Sequence, residues 1–239
     1  MVVHDFTKTI IQQIENFLNI DGVEVLQASP LLEYINIKTK SANRGSKARG
    51  SFANLYAMYV LVEDYIKVVF DTRRAYKDYE GAVFSDLFVR QRELPFGDKL
   101  QNHALNHRLN QEFHKYFPTI QETVIIRDVS TNRYWINKNF LQVKISGKYY
   151  DISKIIINII NEYIKVKKNA FEKFINSCEK LQKLHSTDKE KTFSFILSLL
   201  EPNVDARLFE IVSFAILKYF YWEKKFFGVT IKLIFRKRI

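Results

Sequence analysis

The side chains most able to do chemistry in this chain are bases, amides and imidazoles, and the densest basic group lies at residues 38–50. This segment holds five bases and no acid. They are Lys38, Lys40, Arg44, Lys47 and Arg49. Its two glycines indicate an exposed loop. Because the loop leads into a helical pattern at Ser51, its bases and the free N–H groups of that helix end favour a phosphate ligand. We predict DNA backbone contact, with a merely solvated loop as the alternative.

A second polar group lies between residues 73 and 110, and we predict that it also binds DNA. Its members are Arg73, Arg74, Arg90, Arg92, Asn102, His103, Asn106, His107 and Arg108. Asn102, Asn106 and Asn110 recur at every fourth position, which places them on one face of a helix. Amides, imidazoles and arginines are side chains that read base edges in a groove. A solvated polar face is the alternative interpretation.

Two further patterns suggest metal chemistry but do not fit it. His103 and His107 have the spacing of zinc ligands, but no acid or cysteine accompanies them. Asp205, Glu223 and Lys225 match, in residue type and order, the two acids and the lysine of a magnesium-dependent phosphodiesterase. The intervening chain is predicted to be helical, which would separate the two acids by roughly 27 Å at 1.5 Å per residue. We therefore predict no metal site.

Composition restricts the class of protein. The chain has 239 residues, a formal net charge of +11 and one cysteine, Cys178. The charge favours a polyanionic partner, and a single cysteine excludes an intramolecular disulfide, as suits the cytoplasm. The N-terminus lacks the pattern of a signal peptide, and no run of 18 apolar residues occurs, so we expect neither export nor a membrane partner.

Hydrophobic periodicity predicts a mostly helical chain. Helices are predicted over 6–19 with Asp5 as cap, from Ser29-Pro30, over 51–70, from Ser85-Asp86 to 93, over 98–116, over 152–184 with Asp151 as cap, over 188–200 and from 204. Between residues 123 and 150 the period falls to two, and Ser146-Gly147 marks a turn. The predicted fold class is α+β, mostly α-helical, with a small antiparallel β-sheet or hairpin around 123–150.

Five stretches of the chain resemble type II restriction endonucleases. They are KSANRGSKARGSFANLYAMYVLVEDYI at 40–66, FSDLFVRQRELPFG at 84–97, LNHRLN at 105–110, RDVSTNRYWIN at 127–137 and LEPNVDARLFEIVSFAILK at 200–218. The resemblance covers most of residues 38–220.

This resemblance implies sequence-specific recognition of double-stranded DNA and, in the intact enzyme, hydrolysis of phosphodiesters with Mg²⁺. The helix equivalent to 204–220 opens the nuclease core in such enzymes, and its acid, here Glu210, supports the metal site. A strand with Asp and a strand with Glu-x-Lys would follow. After Tyr221, the strand-like segment 228–235 carries only one ionisable side chain, Lys232, and so supplies neither. We therefore expect a truncated core, no cofactor for this chain alone and no cleavage by it. The resemblance leaves a homodimer possible.

The expected organisation has three regions. Residues 1–150 form a DNA-recognition region, residues 151–201 a helical connector, and residues 202–239 the opening helix of the truncated nuclease core with a divergent tail. Two other functions stay open. One is a complete, non-enzymatic DNA-binding protein, and the other is a helical protein–protein interaction module built on residues 152–200.

Overall fold

A computed structural model describes residues 6–41, 45–71, 76, 79–100, 104–182, 190–191, 193–194 and 197. The chain separates into two compact units. The larger holds residues 3–172, and the smaller holds residues 173–239 together with residues 1–2. The described helices and strands belong to the larger unit, except for the end of the last long helix and the helical residues at 190–191, 193–194 and 197.

Three short helices open the larger unit. They are α1 (Thr7–Leu18), α2 (Gly22–Ala28) and α3 (Pro30–Ser41). The helix predicted over residues 6–19 is confirmed over most of its length. Helix α1 buries Ile10 and Ile14 and is capped at its C-terminal end by Asn19, whose φ is 53°. Asp21, two residues after Asn19, starts the next helix. The Asp21 carboxylate accepts a hydrogen bond from Val23 N at 2.8 Å and caps α2.

The longest described helix of the first hundred residues is α4 (Gly45–Tyr65), which continues as a π-helical turn at Ile66–Asp71. Its residues between Ala53 and Val62 are buried on all sides, as the density of its apolar residues predicts. The predicted loop at 38–50 is wrong for the described residues. Positions 38–41 belong to α3, and positions 45–50 belong to α4.

The next helices follow a short strand, β1 (Ala82–Val83). Helix α5 (Phe84–Glu93) is followed by a 3₁₀ turn at Gly97–Lys99, a π-helical turn at Ala104–Arg108 and α6 (Leu109–Tyr116). The predicted helix 98–116 is therefore irregular in its described first half and regular only from residue 109. It ends before Pro118, as predicted.

Within the described residues, the β structure forms two small antiparallel sheets where one was predicted. Strands β2 (Ile125–Asp128) and β3 (Arg133–Ile136) join β1 in the order β1-β3-β2. Strands β4 (Gln142–Ile145) and β5 (Lys148–Asp151) form a separate hairpin. The predicted turn at Ser146-Gly147 joins them, and both residues have positive φ.

The last long helix, α7 (Ser153–Gln182), starts at the predicted cap, because Asp151 accepts a hydrogen bond from Ser153 N at 2.9 Å. Its first turns bury Ile155, Ile156, Ile159, Ile160, Tyr163 and Ile164 in the core. These residues belong to the larger unit, which runs to residue 172, and the organisation into regions 1–150, 151–201 and 202–239 stays a prediction. The fold class is α+β and mostly α-helical, as predicted. The predicted region 202–239 lies outside the described residues, as does most of 188–200.

Two glycines with positive φ offer a matched test of packing in this unit. A Cβ at Gly81 would lie 2.6 Å from Trp135 Cε3 and 2.9 Å from the carbonyl oxygen of Tyr134, whereas a Cβ at Gly147 would meet nothing within 4 Å. In both alanine variants, the positive φ costs about 1–2 kcal/mol of backbone strain. Only Gly81→Ala adds a steric clash, of about 1–3 kcal/mol.

We therefore expect Gly81→Ala to lower the free energy of unfolding, measured with urea, by at least about 1 kcal/mol more than Gly147→Ala does. Equal losses for the two variants would contradict the packing of β1 and β3 described here.

Candidate nucleic-acid interface

The two basic groups of the sequence meet at Arg108. This residue ends the π-helical turn before α6, and its guanidinium lies against Gly50 in α4. A Cβ at Gly50 would be 2.9 Å from Arg108 Nη2 and 3.6 Å from Arg108 Cζ. Glycine at this position leaves room for the guanidinium. The end of α3, the start of α4 and Arg108 together form what we call the basic junction.

A single carboxylate, that of Glu112 in α6, connects the helices of the basic junction. It accepts hydrogen bonds from Lys38 Nζ at 2.5 Å, from Asn54 Nδ2 at 2.8 Å and from Arg108 Nε at 3.1 Å. These donors come from α3, from α4 and from the π-helical turn. Asn54 Nδ2 also donates to the hydroxyl of Tyr34 at 3.1 Å, which adds a second link between α3 and α4.

Lys38 belongs to the interior of this network. The residue is only 5% exposed, and its ammonium lies 5.2 Å from the ring centroid of Tyr34 and 5.0 Å from that of Tyr116. An ammonium held by a carboxylate and two aromatic rings does not reach a phosphate on the surface. We therefore correct the prediction for Lys38, which supports the fold of the junction rather than contacting DNA.

The charge state of Glu112 follows from its partners. Burial would by itself raise the pKa of this carboxyl, but the hydrogen bonds and charges of Lys38 and Arg108 outweigh that effect and hold the pKa below its usual value of 4.5. Glu112 is thus ionised at neutral pH and offsets one of the two cations that it binds. Arg108 stays exposed and uses Nε for this bond.

The remaining predicted contacts of the basic junction are only partly described. Lys40 lies in the last turn of α3, and His107 is exposed next to Arg108. Arg44 and the side chains of Lys47 and Arg49 lie outside the described residues, so their DNA contacts stay predictions.

The structure separates Arg90 and Arg92 from the basic junction. Arg90 forms a bidentate pair with Glu63, at 2.8 Å from Nε and 2.9 Å from Nη2, and Nη1 donates to Glu93 at 3.0 Å. Glu63 follows Gly50 in α4 by 13 residues, about 20 Å along a helix.

Each nitrogen of Arg90 is therefore bound to a carboxylate, so this guanidinium supports the packing of α5 on α4. Its hydrogen bond is also the main reason why the pKa of Glu63 is lowered. Arg92 is exposed, with its guanidinium carbon 4.7 Å from the ring centroid of Phe88.

Asn110, the last of the three asparagines in the predicted row, is bound within the fold. The Asn110 amide donates to the carbonyl oxygen of Ile125 at 2.9 Å and accepts from Ile125 N at 2.8 Å, which fixes α6 to the edge of β2. Arg73, Arg74, Asn102, His103 and the side chain of Asn106 lie outside the described residues.

A metal centre is not supported by the part of the chain that the structure describes, in which no three His, Cys, Asp or Glu side chains are grouped to hold an ion. His114 Nε2 instead lies 3.0 Å from the carbonyl oxygen of Glu122. Glu210, the acid that the resemblance assigns to the metal site, lies outside the described residues. We therefore derive no step through Mg²⁺.

Sequence reasoning missed Glu112, although one signal for it was present. It is the only acid between Asp98 and Glu122, and it lies four residues after Arg108, the spacing of a helical ion pair. Its bond to Lys38 could not be found in this way, because the two residues are 74 positions apart.

Comparison of the chain with protein-family models, with curated proteins and with solved structures gave no match. The resemblance to restriction endonucleases, double-stranded DNA as partner, Mg²⁺ in the intact enzyme and the homodimer therefore stay predictions. Among the described residues, no helix has both the length and the apolar character that crossing a membrane requires.

Replacing Glu112 tests the central bond of the junction. We expect Glu112→Gln to lower the free energy of unfolding by on the order of 3 kcal/mol, because it leaves the buried ammonium of Lys38 without a counter-charge. The matched control is Glu93→Gln, which removes an exposed partner of Arg90 and should cost less than about 1 kcal/mol. Similar losses for both variants, measured by urea denaturation, would contradict the role of Glu112.

The same pair has a defined pH dependence. Because the pKa of Glu112 is lowered in the folded protein, its contribution to stability is present above the usual pKa of 4.5 and is lost as the pH falls through the folded-state pKa. The difference in unfolding free energy between wild type and Glu112→Gln should therefore stay constant above about pH 5 and shrink at lower pH.

Proposed function

We propose that this chain recognises double-stranded DNA as part of a type II restriction endonuclease. The observation that supports the binding role most is the contact of Arg108 with Gly50, because it joins two basic segments that are far apart in the sequence. The chain's net charge of +11 favours the same partner.

The described geometry suits a phosphate ligand at the basic junction. Arg108 is oriented by its Nε bond to Glu112, and within the described residues no acid is paired with its two terminal nitrogens. Those nitrogens are the donors that bind a phosphate in bidentate fashion. The adjacent segment 44–49 adds Arg44, Lys47 and Arg49. A positioned guanidinium against Gly50, with three further bases shortly before that residue in the sequence, fits a DNA backbone.

The assignment to a restriction endonuclease rests on the sequence resemblance of the five stretches given above. Under this proposal, the intact enzyme hydrolyses a phosphodiester with Mg²⁺, and Glu210 is the residue that would support the metal site. No described residue of this chain is assigned to the cleavage step. The proposed role of the described unit is therefore to bind and position the duplex.

The binding role is tested by fluorescence anisotropy with a labelled 30-base-pair duplex at 50–200 mM salt. We expect wild type to bind with a marked salt dependence. Replacing Arg44, Lys47 and Arg49 together by Gln should weaken binding at least tenfold and reduce the slope of log affinity against log salt by roughly 2 to 3, because each phosphate contact contributes about 0.9.

The matched control removes three exposed lysines elsewhere in the larger unit, Lys8, Lys165 and Lys168, and thus changes the net charge by the same amount. If both triple variants lose the same affinity, only the overall charge matters and the basic junction is not the binding site. If the junction variant binds as tightly as wild type, the proposal is wrong.

Sequence specificity is tested separately by selecting bound duplexes from a random pool. Enrichment of one short sequence supports recognition of the kind that a restriction enzyme needs. Binding without enrichment instead supports the alternative of a DNA-binding protein that contacts only the backbone. Cutting of the selected duplex in Mg²⁺ would assign cleavage to this chain, against our expectation.

A further inference from the structure

We propose that α6 is a recognition helix that lies in the major groove of the duplex, with Gln111 at a base edge and Arg108 and Lys115 at phosphates on either side. The inference rests on the proposed DNA-binding function and deepens it, because it names a residue that reads sequence. The sequence pattern placed base contacts on this segment but assigned none to Gln111 or Lys115.

Three polar side chains follow one another along the outer surface of α6. Arg108, the N-cap residue, has helical backbone angles, φ −64° and ψ −36°, so regular α-helical spacing holds from this residue onward. Gln111 and Lys115 follow three and seven positions later, which places the three side chains within about 60° around the helix axis. All three are exposed, whereas Leu109 and Phe113 on the other side are buried. We call Arg108, Gln111 and Lys115 the outer stripe.

The outer stripe is available to a ligand. Within the described residues, neither Gln111 nor Lys115 forms a hydrogen bond or an ion pair. Arg108 uses Nε for its bond to Glu112, and in the same part of the chain no acid is paired with its two terminal nitrogens.

The charge of the outer stripe suits a polyanion. Lys38, Glu112 and Arg108 together carry one positive charge, and Lys115 adds a second. Glu112 is the only acid of α6, and its carboxylate is bound to three donors. The next acid along the chain, Glu122, accepts hydrogen bonds from the side chains of two asparagines.

The helix that carries the stripe is fixed on two sides. The Asn110 side chain donates to the carbonyl oxygen of Ile125 at 2.9 Å and accepts from Ile125 N at 2.8 Å, which attaches α6 to β2. The bonds of Glu112 attach the same helix to α3 and α4. A duplex would therefore meet a preformed surface, and little ordering would be needed on binding.

The order of the three groups matches the major groove. Arg108 and Lys115 are seven residues apart, about 10 Å along the helix. The major groove is about 12 Å wide and admits an α-helix. The two cations can therefore contact phosphates on both sides of the groove, and Gln111 lies between them. Its amide both donates and accepts, and the adenine edge in the groove presents the matching acceptor N7 and donor N6 side by side.

Base reading is tested with the full chain and two duplexes, one selected from the random pool and one of unrelated sequence. We expect Gln111→Ala to lose the preference for one A·T base pair and to bind the selected duplex at least about fivefold more weakly, because a bidentate contact is lost. Its affinity for the unrelated duplex should not change. The matched control is Gln12→Ala, at an exposed glutamine of α1, which should bind both duplexes as wild type does.

The phosphate contact is tested by Lys115→Gln. This variant should weaken binding to both duplexes by the same factor and reduce the salt slope by about 1, because one phosphate contact is lost. Lys165→Gln removes an exposed lysine elsewhere and should change neither value. An unchanged slope for Lys115→Gln would overturn this contact.

The position of α6 in the groove is tested by chemical substitution of the duplex. Replacing the adenine of the preferred base pair by 7-deazaadenine removes the N7 acceptor from the major groove. Wild type should bind this duplex at least about fivefold more weakly than the unmodified one, whereas Gln111→Ala should bind the two alike. Equal affinities of wild type for the two duplexes would overturn placement in the major groove.

The outcomes separate this inference from the function on which it rests. If Gln111→Ala keeps the sequence preference of wild type, or if wild type enriches no sequence, base reading by α6 is wrong. The basic junction then still stands, provided that the Arg44, Lys47 and Arg49 variant binds weakly. If wild type binds no duplex at 50 mM salt, both are wrong. Unchanged circular dichroism and urea midpoints confirm that each variant is folded.

Discussion

The bond of the Glu112 carboxylate to three donors is the constraint on which the described surface depends. It joins α3, α4 and α6 at one point, and two of its three donors, Lys38 and Asn54, have little access to water. Buried cations require such compensation, because an ammonium without a counter-charge would cost several kcal/mol. The Glu112 carboxylate thus allows basic residues to be placed at the end of α3 and the start of α4. It also fixes the orientation of Arg108.

Three basic side chains that look equivalent in the sequence have different tasks in the structure. Lys38 lies inside the fold, and Arg90 is fully bound to Glu63 and Glu93. Only Arg108 combines exposure with a fixed orientation. A net charge of +11 is therefore a weak guide to the location of a polyanion site, because part of that charge is used to hold helices together.

The local features of this fold could be predicted from the sequence, and the long-range ones could not. Apolar density identified α4, Ser29-Pro30 identified the start of α3, Ser146-Gly147 identified the hairpin turn, and Asp151 identified the start of α7. Each of these depends on neighbours within a few residues. The loop predicted at 38–50 failed because its composition suggested solvation, whereas an acid 74 residues away makes burial of Lys38 favourable.

Asn110 shows that long-range contacts of the candidate site could not be predicted from the sequence either. Its spacing from Asn102 and Asn106 suggested a recognition face, but spacing cannot reveal that the partner of an amide is the backbone of a strand. Arg108, in contrast, was predicted as a DNA contact, and its exposure is consistent with that prediction.

The burial of α4 has a consequence for how the protein responds to a ligand. Gly50 in this helix lies beside Arg108, and the helix runs from there into a middle section, Ala53 to Val62, whose side chains are almost completely enclosed. Amide protons of that section can exchange with solvent only when the whole unit opens, so they should be among the slowest to exchange. A ligand at Gly50 and Arg108 would therefore contact α4 just before this rigid section. It would slow exchange near Gly50 and leave the exchange rates further along the helix limited by global unfolding alone.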